Sequence, residues 1–154
     1  MEHNSSNILV KGLNNWKLRL ILSALLSIMG LGFLISMILG LFMNLSIYDK
    51  SLVGIAIFMV GVPAYLIVSN LAKVDEYTIA GFLNQTLTQA EGKAEVLVKE
   101  EKELEEEELN KREELEELFN ETPLHHFLPD KPIRQAYYLF LFSVTGSLLV
   151  WFMG

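Results

Sequence analysis

Three tracts without a charged side chain constrain this sequence more than any other feature. They run from Leu20 to Met43, from Leu52 to Ala72 and from Ala136 to Met153. A helix of about 20 apolar residues, rising 1.5 Å per residue, crosses a hydrocarbon core of about 30 Å. The tracts therefore predict an all-α membrane protein with three transmembrane helices, over about 18–43, 52–72 and 135–154.

An acidic run separates the second tract from the third. Glu95–Glu121 carries thirteen carboxylates and four basic side chains, a net charge of −9 in a chain whose net charge is −7. Glutamate and leucine favour helix, so the run predicts one long helix. The apolar residues just before and within it have heptad-like spacing, at Leu83, Leu87, Ala90, Ala94, Leu97 and Leu104. We expect a long acidic helical hairpin or coiled coil over 73–120.

A straight continuation of the second span to Asn120 is the competing arrangement. The third span must re-enter the membrane near residue 135. At about 3.5 Å per residue, the few residues after Asn120 are too short to recross a gap of about 70 Å. A reversal near Gly92 gives two arms of similar length, and we therefore prefer the hairpin.

Two shorter segments flank these elements. Residues 1–17 are polar and then mildly amphipathic, which predicts a helix at the membrane surface or a frayed terminus. Residues 121–134 contain Pro123, Pro129 and Pro132, which oppose a continuous helix. We expect this proline-rich segment to be an interfacial linker.

Basic residues predict the orientation. Lys11, Lys17 and Arg19 flank the first tract, and eight more lie in 73–134, whereas the 44–51 turn has only Lys50. The positive-inside rule then places the N-terminus and the acidic segment in the cytoplasm and the C-terminus outside. The expected location is a bacterial inner membrane or its equivalent.

Two motifs lie within the predicted spans. Gly32, Ser36 and Gly40 are spaced four residues apart, which favours close helix packing within the chain or with a second copy. Gly61 and Pro63 predict a bend in the second span, interpreted as a packing adjustment or as a gate.

No reaction is indicated by the sequence. His125, His126 and Asp130 have side chains that can bind a metal, but adjacent histidines point apart in regular backbone and no other histidine is near. Nucleophile and nucleotide motifs are lacking. We therefore predict no catalytic residue, no metal and no cofactor. We also predict no nucleic-acid partner, because the net negative charge disfavours binding to nucleic-acid phosphates.

The expected function is therefore non-enzymatic. We expect an oligomerising scaffold or accessory subunit of a membrane complex that presents its acidic segment to a basic protein surface. A homo-oligomeric channel or membrane-permeabilising effector with a hydrophobic pore is the alternative. The predicted docking residues are Leu97, Leu104, Leu109, Leu115, Leu118, Glu105, Glu106, Glu107 and Glu108.

Overall fold

The computed structural model describes residues 4–153, with side chains placed for 8–152. Within these residues it is mostly helical, with short turns between the helices, and contains no strand. The five α-helices are α1 (Asn4–Met43), α2 (Ile47–Ser69), α3 (Glu76–Thr86), α4 (Glu106–Glu121) and α5 (Lys131–Met153). The all-α prediction is confirmed, and three stretches are long and apolar enough to cross a membrane: Ile8–Met43, Ile47–Lys73 and Lys131–Phe152.

The helix ends differ from those predicted for identifiable reasons. The turn between α1 and α2 is shorter than the predicted 44–51 turn, because Ser46 caps α2 and the helix begins at Ile47. The Ser46 Oγ accepts a hydrogen bond from the Asp49 N–H, while its own N–H donates to the Asp49 carboxylate. α5 begins at Lys131, since Pro132 lies in its first turn, where proline's missing N–H has no helical partner to lose.

The chain divides into two compact units. The acidic unit consists of the described residues up to Leu18 together with Leu71–Asp130. The apolar unit consists of Arg19–Asn70 together with the described residues from Lys131 onward.

The core of the acidic unit includes the start of α1. Leu9, Leu13 and Trp16 lie on one face of this helix and are buried. The Trp16 Nε1–H donates to the Pro129 carbonyl at 2.9 Å, and its ring meets Phe82 edge-on. This segment thus lies in a protein core, which the prediction of a surface-lying or frayed N-terminus did not anticipate. The other core residues are Leu71, Ile79, Ala80, Leu83, Leu87, Ala90, Ala94, Val96, Leu97, Leu115, Phe119, Leu124 and Leu128.

The predicted single helix over Glu95–Glu121 is wrong in its first half. Residues between α3 and α4 form short 3₁₀ turns, at Thr88–Ala90, Ala94–Leu97 and Glu101–Glu103. Glu91 and Gly92 adopt positive φ, so the chain turns near the position expected for the reversal. The structure therefore does not show two matched arms of a coiled coil over 73–120.

α3 begins at a carboxylate cap that provides a pH test. The Thr78 N–H and hydroxyl both donate to the Asp75 Oδ1, at 2.9 and 2.8 Å, and these bonds hold the Asp75 pKa below its ordinary value of 3.8. A lowered pKa means that the cap stabilises fully above about pH 4 and is lost as the pH falls through the lowered value.

We expect protection of the first α3 amides against hydrogen exchange to fall with acidification through this window. Asp75→Asn retains a capping oxygen that does not titrate, so its protection factors should vary less with pH. Equal acid dependence in the two proteins would contradict the role of Asp75.

In the apolar unit, α1 packs against both α2 and α5. The α1–α2 approach is close at Gly32, where an added Cβ would lie 3.2 Å from the Gly54 carbonyl oxygen. Between α1 and α5, the Ser27 hydroxyl donates to the Ala136 carbonyl at 2.8 Å. Small residues allow helix backbones to approach this closely.

Candidate functional site

α4 has an exposed acidic stripe opposite its buried side. Glu113 and Glu117 follow Glu106 by seven and eleven residues, which places the three side chains along one line of the helix. All three are exposed. Leu115 and Phe119 lie on the opposite side, in the core. We call Glu106, Glu113 and Glu117 the acidic face.

Basic residues of this unit pair with other glutamates. Over the described residues, the ion pairs join Lys93 to Glu107, Lys99 to Glu108, Lys111 to Glu91 and Glu114, and Arg112 to Glu116. None of these pairs includes a carboxylate of the acidic face. The pairs to Glu107 and Glu108 link the turns before α4 to its first residues, so they help to fix the start of the helix.

The paired carboxylates are held in their charged form. The hydrogen bond from Lys93 lowers the pKa of Glu107. The Glu105 backbone N–H, and then Lys99, lower the pKa of Glu108. Both groups therefore remain ionised at neutral pH and keep their ion pairs with Lys93 and Lys99.

The nine predicted docking residues occupy different environments. Leu97 and Leu115 are 1% and 0% exposed, so a partner cannot reach them in the folded unit. Leu104, Leu109 and Leu118 are partly exposed. Of the four glutamates, Glu105, Glu106 and Glu107 are exposed and Glu108 is half-buried.

A hollow of about 220 Å³ lies at the edge of the acidic face. Its lining residues are Gln89, Glu114, Leu115, Glu117, Leu118 and Glu121. It combines carboxylates with leucine side chains, an arrangement that suits a lysine or arginine with an apolar stem and a charged tip.

The predicted packing motif contacts α2 of the same chain. Gly32 lies close to Gly54, and a Cβ on Gly40 would overlap the Lys50 side chain. Ser36, between them, is buried and donates its hydroxyl to the Phe33 carbonyl at 2.8 Å.

The residues of the predicted bend have separate surroundings. A Cβ on Gly61 would lie 2.8 Å from the Ile28 Cγ2, so Gly61 is a packing position against α1. Pro63 is exposed within α2, which continues through it to Ser69.

A further set of small residues was missed by the sequence analysis. Ser143 and Ser147 of α5 are buried, and a Cβ on Gly146 would lie 3.0 Å from the Leu34 side chain. Opposite them, a Cβ on Gly30 would lie 3.2 Å from the Ser143 Cβ. The spacing of Ser143 and Ser147, four residues apart, is the same signal that identified Gly32 and Ser36.

His125 and His126 have ring centroids 4.5 Å apart. Across the part of the chain that the structure describes, no group of three potential metal ligands is brought together.

Comparison with profiles of known protein families, with curated proteins and with solved structures finds no match to this chain.

Proposed function

We propose that this chain is a non-enzymatic integral membrane protein whose apolar unit anchors a folded acidic unit, and that the acidic unit docks a basic protein surface. The supporting observation is the separation of roles on α4. α4 packs against the 3₁₀ turns at Thr88–Ala90 and Ala94–Leu97, with Leu115 and Phe119 buried. On its other side, Glu106, Glu113 and Glu117 stay exposed outside the ion pairs described above.

The partner's chemistry follows from this surface. Unpaired exposed carboxylates attract lysine and arginine and speed association through the long-range field. The hollow beside Leu118 provides apolar contact for the stem of one such side chain. Of the predicted docking leucines, Leu104, Leu109 and Leu118 remain in this proposal, and the buried Leu97 and Leu115 leave it.

The proposed topology has the N-terminus and the acidic unit in the cytoplasm and the C-terminus outside, in a bacterial inner membrane or its equivalent. None of the α2 residues is buried. That surface is available to lipid, to a second copy or to another subunit of a membrane complex. Because Gly61 packs on Ile28 and Pro63 is exposed, we favour docking over the channel alternative.

The docking proposal is tested by photo-crosslinking from Asn110, which is exposed on the line of the acidic face. We expect a basic partner to be captured, with about ten-fold lower recovery after Glu106→Gln, Glu113→Gln and Glu117→Gln together, and lower recovery as salt rises. Deleting residues 95–121 would be a poorer test, since it removes Leu97, Leu115 and Phe119 from the core.

A matched control changes the same charge elsewhere in the unit, by Glu100→Gln, Glu101→Gln and Glu103→Gln. These three residues are also exposed but lie before α4. Equal recovery with both triple variants and the unchanged protein would rule out docking through the acidic face.

A further inference from the structure

The apolar unit contains a groove of about 810 Å³ between α1 and α2, reached also by Val150 and Trp151 of α5. This volume lies within the range of sites that hold small organic ligands. Its lining is mostly apolar and includes Met29, Phe33, Met37, Leu41, Ile55 and Phe58.

The dimensions of the groove match one leaflet of a bilayer. On α1 its lining extends from Met29 to Leu41, a rise of about 18 Å. Half of a hydrocarbon core of about 30 Å is about 15 Å. The groove is therefore long enough to hold the acyl chain of a lipid from a single leaflet.

One end of the groove carries a cation. Lys50 lies in the lining, and its side chain crosses α1 at Gly40, where the missing Cβ makes room for it. Within residues 8–152, Lys50 forms no ion pair with a carboxylate. Because Gly40 lies next to Leu41, Lys50 marks the Leu41 end of the groove rather than the Met29 end.

The polar side chains in the lining are otherwise satisfied. The Ser36 hydroxyl donates to the Phe33 carbonyl, and the Ser51 hydroxyl donates to the Ile47 carbonyl at 2.9 Å. Each bond stays within its own helix, so neither hydroxyl requires a ligand. The ammonium of Lys50 is left as the charged group that an occupant can neutralise.

We propose that this groove binds an anionic phospholipid, with one acyl chain along α1 and α2 and the phosphate at the Lys50 Nζ. The occupant is a lipid because the groove is apolar over one leaflet depth and ends at a single cation. A negative headgroup is favoured over a zwitterionic one by charge complementarity with Lys50. The inference rests on the membrane location given under the proposed function.

Trp151 provides the test, since it lines the groove. The full chain carrying Trp16→Phe, which leaves Trp151 as the single tryptophan, is reconstituted in phosphatidylcholine vesicles. A small fraction of lipid with brominated acyl chains is added as either phosphatidylglycerol or phosphatidylcholine, and quenching of Trp151 fluorescence is measured. We expect brominated phosphatidylglycerol to quench at about five-fold lower mole fraction, the preference expected for one cation near an anionic headgroup.

Lys50→Gln should abolish that preference, whereas Lys131→Gln at the start of α5 should retain it. Ser51→Phe should reduce quenching by filling the groove, and Ser69→Phe on the same helix, outside the groove, should leave it unchanged.

The outcomes separate the two proposals. Equal quenching by the two brominated lipids, or a preference that survives Lys50→Gln, overturns the lipid site and leaves the membrane location standing. A lack of quenching by either lipid overturns the membrane location and the lipid site with it.

Discussion

Replacing Trp16 by alanine should lower the free energy of unfolding of the acidic unit by about 3–5 kcal/mol. The indole is 6% exposed and fills the core between α1, Phe82 and the segment before α5. Alanine leaves a cavity and removes the donor to the Pro129 carbonyl. Amide hydrogen exchange over residues 76–119, followed by mass spectrometry, should show protection reduced on the order of a hundred-fold or more.

Two variants locate the origin of this effect. Trp16→Phe keeps a ring against Phe82 but loses the hydrogen bond, so a smaller loss of about 1–2 kcal/mol is expected. Trp151→Ala is the matched control, because the other tryptophan is 70% exposed and belongs to the apolar unit. Unchanged exchange over 76–119 in Trp16→Ala would show that the start of α1 is not part of this core.

The role of Trp16 shows where sequence reasoning stops. The spacing of Leu9, Leu13 and Trp16 indicates an apolar helix face, and a helix is what the structure contains. The spacing does not reveal what covers that face, since lipid and a protein core favour the same residues. The covering residues are distant in sequence: Phe82 meets Trp16, and Leu124 lies against Gly12.

The acidic segment makes a related point about backbone path. Of the six positions in the apolar series, Leu104 is partly exposed and the other five are buried, so the spacing identified most of these core positions. The predicted helical path was wrong, because apolar spacing indicates which residues face the core and does not determine the backbone dihedral angles between them. Glu91 and Gly92 turn the chain, and ion pairs such as Lys99–Glu108 hold the 3₁₀ turns against α4.

The apolar helices were easier to predict, because their signal is local. A charge-free tract of sufficient length identifies a candidate transmembrane helix without any knowledge of the helices that pack against it. Packing partners are not local, and this is why the sequence leaves open whether Gly32, Ser36 and Gly40 face the same chain or a second copy.

Gly32→Leu should weaken the α1–α2 contact, with a cost of about 1–3 kcal/mol. The nearest atom to a new Cβ is the Gly54 carbonyl oxygen at 3.2 Å, and backbone cannot move aside as a side-chain tip can. Gly54→Leu tests the same contact from the other helix. A Cβ there lies 3.9 Å from the Gly32 carbonyl oxygen and beside the groove, so a leucine should be tolerated.

The natural absence of cysteine makes this contact measurable. Ile28→Cys with Gly61→Cys places two thiols at the neighbouring α1–α2 contact. Replacing Ile28 also removes its Cγ2 methyl, which would otherwise collide with the new Cβ at position 61. Disulfide formation within one chain should be efficient in this background, reduced by Gly32→Leu and unaffected by Gly54→Leu.

Mixing two differently tagged copies, each carrying one of the cysteines, reports contacts between chains. A higher disulfide yield between copies than within one chain would show that Gly32 and Gly61 serve an oligomer interface, and the α1–α2 packing described above would then be wrong.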